Sequence, residues 1–104
     1  YCSVKAALNA YTRSLGRVVA PKGVIISAVL PGAVWTEGGY WDIAMRERPH
    51  HVENYLKQRM AIGRLGQPDE IAGIVAFLCS SQASFFVGSI VPVDGGQGRS
   101  FFGL

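Results

Sequence analysis

Val24-Ile25-Ile26-Ser27-Ala28-Val29-Leu30, followed at once by Pro31-Gly32, is the stretch on which the fold turns. It is mostly apolar and rich in β-branched residues, and it does not alternate polar with apolar positions. A strand of that kind is buried on both faces, as in a parallel sheet covered by helices. Pro31-Gly32 ends it. In open α/β sheets ligands sit beyond the carboxyl ends of the strands, where loops leave backbone N–H groups free to bond. The loop Pro31-Gly32-Ala33-Val34-Trp35-Thr36 therefore occupies a position suited to binding.

Upstream, Val4, Ala7, Leu8, Tyr11, Leu15, Val18 and Val19 recur at helical spacing, with Arg13 and Arg17 off the stripe. This predicts a helix from Cys2 to about Ala20 with one buried face, stopped by Pro21-Lys22-Gly23. Downstream, residues 37–62 are more charged and less regular. Gly63 to Gln67 reads as a turn, and Pro68-Asp69-Glu70 opens a second helix: proline suits the first helical position and the carboxylates face the positive end of the helix dipole. Ile71, Ile74, Val75 and Leu78 form its expected buried stripe, with Cys79-Ser80-Ser81 at its end. A second strand, Ser89-Ile90-Val91-Pro92-Val93, closes on Asp94-Gly95-Gly96. Helix, strand, variable segment, helix, strand is half of a doubly wound α/β domain.

The first five residues, Tyr1-Cys2-Ser3-Val4-Lys5, bring a phenol and an ammonium one helical turn apart on one face. A free phenol, with a pKa of about 10, exchanges protons poorly at neutral pH, and a cation a few Å away favours the phenolate. Such a pair can give a proton to a carbonyl oxygen or take one from an alcohol. Alone, the spacing more readily describes an amphipathic tyrosine beside a solvated lysine.

The surrounding text separates the two readings. Tyr1-Cys-Ser-Val-Lys5-Ala-Ala-Leu-Asn9, Ala20-Pro21-Lys22-Gly23-Val24, Pro31-Gly32-x-Val34-x-Thr36, Gly63-Arg64-Leu65-Gly66-Gln67-Pro68-Asp69-Glu70-Ile71-Ala72 and Val93-Asp94-Gly95-Gly96 together resemble the short-chain dehydrogenase/reductase family, in order and spacing, over nearly the whole chain. The resemblance implies the C-terminal half of a doubly wound, Rossmann-like parallel-sheet domain that starts on the family's tyrosine. The glycine-rich nucleotide-binding half is then expected to be absent from residues 1–104. It implies an oxidoreductase that interconverts a carbonyl and an alcohol with NAD or NADP, Tyr1 acting as general acid/base and Lys5 assisting it and holding the nicotinamide ribose. Pro31, Gly32, Val34 and Thr36 join them as cofactor-binding residues, the backbone of Val34 and the hydroxyl of Thr36 fixing the carboxamide and a neighbouring phosphate. Residues 37–62 correspond to the family's substrate lid. There Tyr40, Trp41 and Met45 read either as contacts to a small carbonyl or alcohol substrate or as packing of the lid. Two departures from the family's pattern stand out: Ser27 where asparagine is usual, and Val87 where threonine is more frequent.

The alternative is a non-catalytic fragment or assembly module that keeps the scaffold but cannot bind cofactor alone. Strands buried on both faces need neighbours, so the chain is expected to pair with an N-terminal half or to form homo-oligomers, for which the family's dimers and tetramers are the pattern. Phe101 and Phe102 are candidates for reaching a neighbouring subunit.

Composition narrows the remaining classes. With 104 residues, 49% of them hydrophobic, the chain is long and apolar enough for a core, which excludes disorder. The net charge of +3 comes from scattered lysines and arginines with no aromatic-interleaved basic cluster, so no nucleic-acid partner is expected. The apolar runs at 24–30 and 71–78 are too short to span a bilayer. Cys2 and Cys79 form neither a disulfide framework nor a metal pattern, which suits reduced thiols in the cytoplasm. His50-His51-x-Glu53 reads as a solvated face, since adjacent histidines on a helix do not readily share a metal.

Overall fold

A computed structural model of the protein describes residues 1–98. Its residues fall into two compact units, Tyr1–Leu30 with Gly73–Pro92, and Pro31–Ala72 with the chain from Val93 onward. Phe101 and Phe102 lie outside the described residues.

In the first unit, α1 (Cys2–Val19) starts from Tyr1, whose carbonyl accepts the Lys5 N–H at 3.1 Å. It ends as predicted: a 3-10 turn, Ala20–Lys22, carries Pro21, and Gly23 takes a left-handed φ of 80° that returns its N–H to the Ala20 carbonyl. The helix does not bury its apolar stripe. Val4 (72%), Leu8 (53%), Tyr11 (61%) and Val18 (66%) are exposed, and the buried residues are Thr12 and Gly16. Small residues let backbones approach most closely, and Gly16 lies against the backbone of Gly88. Thr12 keeps its hydroxyl satisfied on the Leu8 carbonyl at 2.9 Å.

The strand β1 is shorter and later than predicted, Ser27–Pro31, and pairs with β2 (Ser89–Val93). Gly88 donates to the Ile26 carbonyl at one end and Gly32 to the Val93 carbonyl at the other, so residue numbers rise together and the pair is parallel. Val24 and Ile25 precede the partner and have no ladder to join. β1 is half-buried, ending on an exposed Pro31, in place of the two-sided burial expected. Among the described residues the sheet has two strands, so β1 has a single neighbour. Ser27, the departure from asparagine, gives its hydroxyl to the Phe86 carbonyl, a local role and nothing more. We find no structural reason for valine at position 87.

The helix α4 (Pro68–Leu78) begins at the predicted proline. Ile71, Ile74, Phe77 and Leu78 are half-buried, whereas Val75 is exposed. Phe77 takes its place in the stripe because its ring meets Phe86 edge-on, with centroids 5.5 Å apart. Ala83, in the 3-10 turn Ser81–Ala83 that follows, is almost fully buried.

In the second unit, the segment expected to be less regular contains two helices, α2 (Tyr40–Glu47) and α3 (Pro49–Arg59). Asp42 accepts the Gly38 N–H ahead of α2 at 2.8 Å, and Pro49 opens α3 at a position whose N–H would have no partner within the helix. The Gly38 N–H, then Arg46, hold the Asp42 carboxyl below its ordinary value; Lys57 does the same for Glu53. α2 and α3 pack on each other, and each buries one residue, Ala44 and Val52. The core of this unit is Ala33, Met60 and Leu65, ringed by Trp35, Trp41, Tyr55 and Leu56. No helix among the described residues is long and apolar enough to cross a membrane.

Candidate active site

Tyr1 and Lys5 are brought together in the first unit. The Lys5 ammonium lies 5.5 Å from the centre of the Tyr1 ring, and Tyr1 is 91% exposed. The arrangement follows from local structure: Tyr1 is the residue before the helix and Lys5 the first to bond back to it, so both side chains leave the same turn.

Pro31, Gly32, Val34 and Thr36 are together in the second unit, in the loop after β1. Neighbouring segments take up about half of this loop's backbone groups; among the described residues the Gly32 and Trp35 carbonyls and the Thr36 N–H have no partner. Gly32 donates to the Val93 carbonyl at 3.1 Å, and Ala33 to the Gln97 side chain at 2.7 Å. Gly66 forms a parallel bridge opposite Val34: its N–H bonds the Ala33 carbonyl and its carbonyl accepts the Trp35 N–H, both at 2.9 Å. The Thr36 carbonyl accepts the Gly39 N–H at 3.0 Å. Between these, the N–H and C=O of Val34 have no hydrogen-bond partner among the described residues. This donor and acceptor lie side by side just past the carboxyl end of β1, where open α/β sheets place their ligands.

Gly32 makes the loop's closeness to the Asp94 turn possible. A Cβ there would lie 2.5 Å from the Asp94 carbonyl oxygen and 2.7 Å from its Cα, against backbone that cannot swing away. The Asp94 side chain fixes its own turn by accepting the N–H groups of Gly96 and Gly98, both at 3.0 Å.

The three lid candidates separate. Trp41 packs between Tyr40 and Tyr55, with centroids 5.0 and 4.5 Å away, and so serves the packing of α2 on α3. Tyr40 is exposed, with the Arg48 guanidinium 5.8 Å from its ring centre. Met45 alone lines a cavity of about 490 Å³, together with Trp35, Leu56, Arg64, Leu65 and Gln67. That volume lies in the range of small-molecule sites. Trp35, Leu56 and Leu65 were not singled out from the sequence; a large apolar residue next to Val34 was the available signal.

The pairing of Arg64 with Glu70 is not legible in the sequence. They form a two-pronged ion pair, Nη1 to Oε2 at 2.8 Å and Nη2 to Oε1 at 2.7 Å, and Glu70 also accepts the Gln67 N–H at 2.8 Å. The Arg64 hydrogen bonds, then the Gln67 N–H, lower the Glu70 carboxyl to about 2. Gln67-x-x-Glu70 ahead of an apolar helix has the spacing of a capping box, with glutamine in place of serine or threonine. His50 and His51 are exposed, and among the described residues no group of three or more potential ligands could hold a metal.

The family described as enoyl-(acyl carrier protein) reductase matches residues 1–97. A 3-oxoacyl-(acyl-carrier-protein) reductase of Aquifex aeolicus is 35% identical over 97 residues, 93% of this chain and 37% of that protein. A galactitol 2-dehydrogenase (L-tagatose-forming) of Cereibacter sphaeroides is 42% identical over 96 residues, 92% of this chain and 36% of that protein. Among solved structures, the NADPH-dependent reductase YwfH, involved in bacilysin biosynthesis, matches with a TM-score of 0.80 at 26% identity, over 92% of this chain and 38% of YwfH. The chain spans a little over a third of the length of the curated relatives it matches. The likeness bears out the α/β, Rossmann-like architecture expected from the strand and helix order.

Proposed function

The chain belongs to the short-chain dehydrogenase/reductase family, and on that premise we propose that the protein carrying it is an NAD(P)-dependent oxidoreductase interconverting a carbonyl and an alcohol. The observation that carries the reading is the Tyr1–Lys5 pair, a phenol and an ammonium on one helical turn, exposed and 5.5 Å apart as measured to the ring centre. In the reducing direction the Tyr1 hydroxyl donates its proton to the substrate's carbonyl oxygen while the carbonyl carbon gains hydride. In the oxidising direction the phenolate takes the alcohol's proton. Lys5 supports both by keeping a positive charge beside the reacting phenol.

The residues present fit a nicotinamide. A carboxamide offers one N–H₂ donor and one carbonyl acceptor, and the free C=O and N–H of Val34 are the complementary pair. Pro31 and Gly32 shape the loop that presents them, and Thr36 supplies a hydroxyl at its end. When bound, the nicotinamide ring gives or takes the hydride. Residues 37–62 serve as the substrate lid, with Met45 facing the cavity and Tyr40 and Trp41 holding the lid's shape.

Tyr1→Phe in the full-length protein tests the reading. Turnover should fall by about 10²–10⁴-fold, the usual worth of positioned proton transfer, with cofactor affinity changed less than about threefold. Near-wild-type turnover would remove Tyr1 from the chemistry.

A further inference from the structure

The Val34 backbone is held in place by a single residue on one side, Gly66, and Gly66 is itself held by a closed set of bonds. Arg64 reaches across the turn to both Glu70 oxygens, its Nη1 also donates to the Leu65 carbonyl at 3.1 Å, and Glu70 Oε2 takes the Gln67 N–H. Residues 64, 65, 67 and 70 are thereby tied together around Gly66. A Cβ placed on Gly66 would be 3.4 Å from Val34 Cγ2, 3.6 Å from the Ala33 carbonyl oxygen and 3.9 Å from Glu70 Oε2. Gly66 thus sits between the ion pair and the loop.

The bridge from Gly66 to Ala33 and Trp35 stands outside any strand ladder. Two isolated hydrogen bonds of about 1 kcal/mol each do not hold a loop unless the turn that offers them is itself rigid. A two-pronged arginine–carboxylate pair supplies that rigidity, because it fixes orientation as well as distance. Both side chains are about half exposed, where an ion pair adds little to overall stability, so its geometry is what matters here.

We propose that Arg64 and Glu70 are positioning residues of the site: their pair locks Gly66, Gly66 grips Ala33 and Trp35, and the N–H and C=O of Val34 are thereby held ready for the cofactor's carboxamide. This rests on the reading of the loop as the nicotinamide seat.

The test compares kcat/KM of the full-length protein with the ordinary cofactor and with its 3-acetylpyridine analogue, which keeps the acceptor oxygen but lacks the amide N–H₂ that would bond the Val34 carbonyl. The analogue's own reactivity cancels when variants are compared. Arg64→Met and Glu70→Gln should each shrink the wild-type preference by about tenfold, the value of one hydrogen bond, and the double variant should shrink it no further, since the pair acts as a unit. Arg64→Lys keeps the charge but loses the fork, and should fall with Arg64→Met. Glu70→Gln keeps an acceptor for Gln67 and provides the folded variant should Arg64→Met fail to fold. An unchanged preference in any folded variant of the pair overturns the proposal. A wild-type protein that binds neither cofactor overturns the reading of the loop, and the proposal with it.

Discussion

Gly16 of α1 and Gly88, just before β2, meet backbone against backbone. A Cβ on Gly16 would lie 2.8 Å from the Gly88 nitrogen and 2.9 Å from its Cα, and one on Gly88 would lie 3.0 Å from the Arg13 carbonyl oxygen. Gly88 also donates to the Ile26 carbonyl at 2.8 Å, so the contact that seats the helix also starts the β1–β2 ladder. Gly16→Ala should destabilise by about 1–3 kcal/mol through overpacking, outweighing the gain of about 1 kcal/mol in helix propensity. Urea unfolding measures the balance. A net gain in stability would show that α1 does not need so close an approach.

Lys5 separates activity from stability. It is exposed, so Lys5→Met should leave unfolding free energy within about 0.5 kcal/mol of wild type. Turnover of the full-length protein should nevertheless fall at least about tenfold, because the phenolate loses its neighbouring charge. Equal losses in both would make Lys5 a structural residue.

Glu70 supplies a pH dependence with a definite sign. Its carboxyl titrates at about 2 in the folded chain against an ordinary 4.5. As pH falls below 4.5 the unfolded chain takes up the proton first, so the contribution of the pair is complete above that pH and is lost as pH drops through about 2. Carboxyl NMR should place the folded midpoint near 2. In Arg64→Met that midpoint should rise, and stability should depend less steeply on pH between the two values. A midpoint that does not move would assign the whole effect to the Gln67 N–H.

Trp41 joins α2 to α3. It is half-buried between Tyr40 and Tyr55, and Trp41→Ala should cost about 2 kcal/mol, less than a fully buried tryptophan. The loss should appear as faster amide exchange in α2 and α3, with Trp35 left as the fluorescent reporter of the neighbouring core. Unaltered exchange would show that Ala44 and Val52 suffice to join the helices.

Several element ends were legible from the chain's punctuation. Pro21-Lys22-Gly23 stops α1, Pro68 starts α4, and Ser89–Val93 is the strand that was expected. Burial was less legible. Periodicity says which positions of α1 are apolar, but not whether anything covers them, and Val4, Leu8, Tyr11 and Val18 stand in the open. The start of β1 depends on where its partner begins, which Val24 and Ile25 do not encode. The helices of the 37–62 segment were masked by its charge, although Pro49 carried a start signal. In the site, the pairing of Tyr1 with Lys5 follows from helical spacing alone. The grip on Val34 does not: Gly66, Gln97 and the Arg64–Glu70 pair come from segments far apart in the chain or face each other across a turn.

Val34 presents main-chain atoms that every residue except proline possesses. Exchanging the side chain at position 34 leaves those main-chain atoms in place, within the room left beside Gly66. Proline is the single substitution that deletes the donor outright. The sequence requirement falls instead on Gly32, which admits no side chain against the Asp94 backbone, and on the partners that hold the neighbouring peptides still.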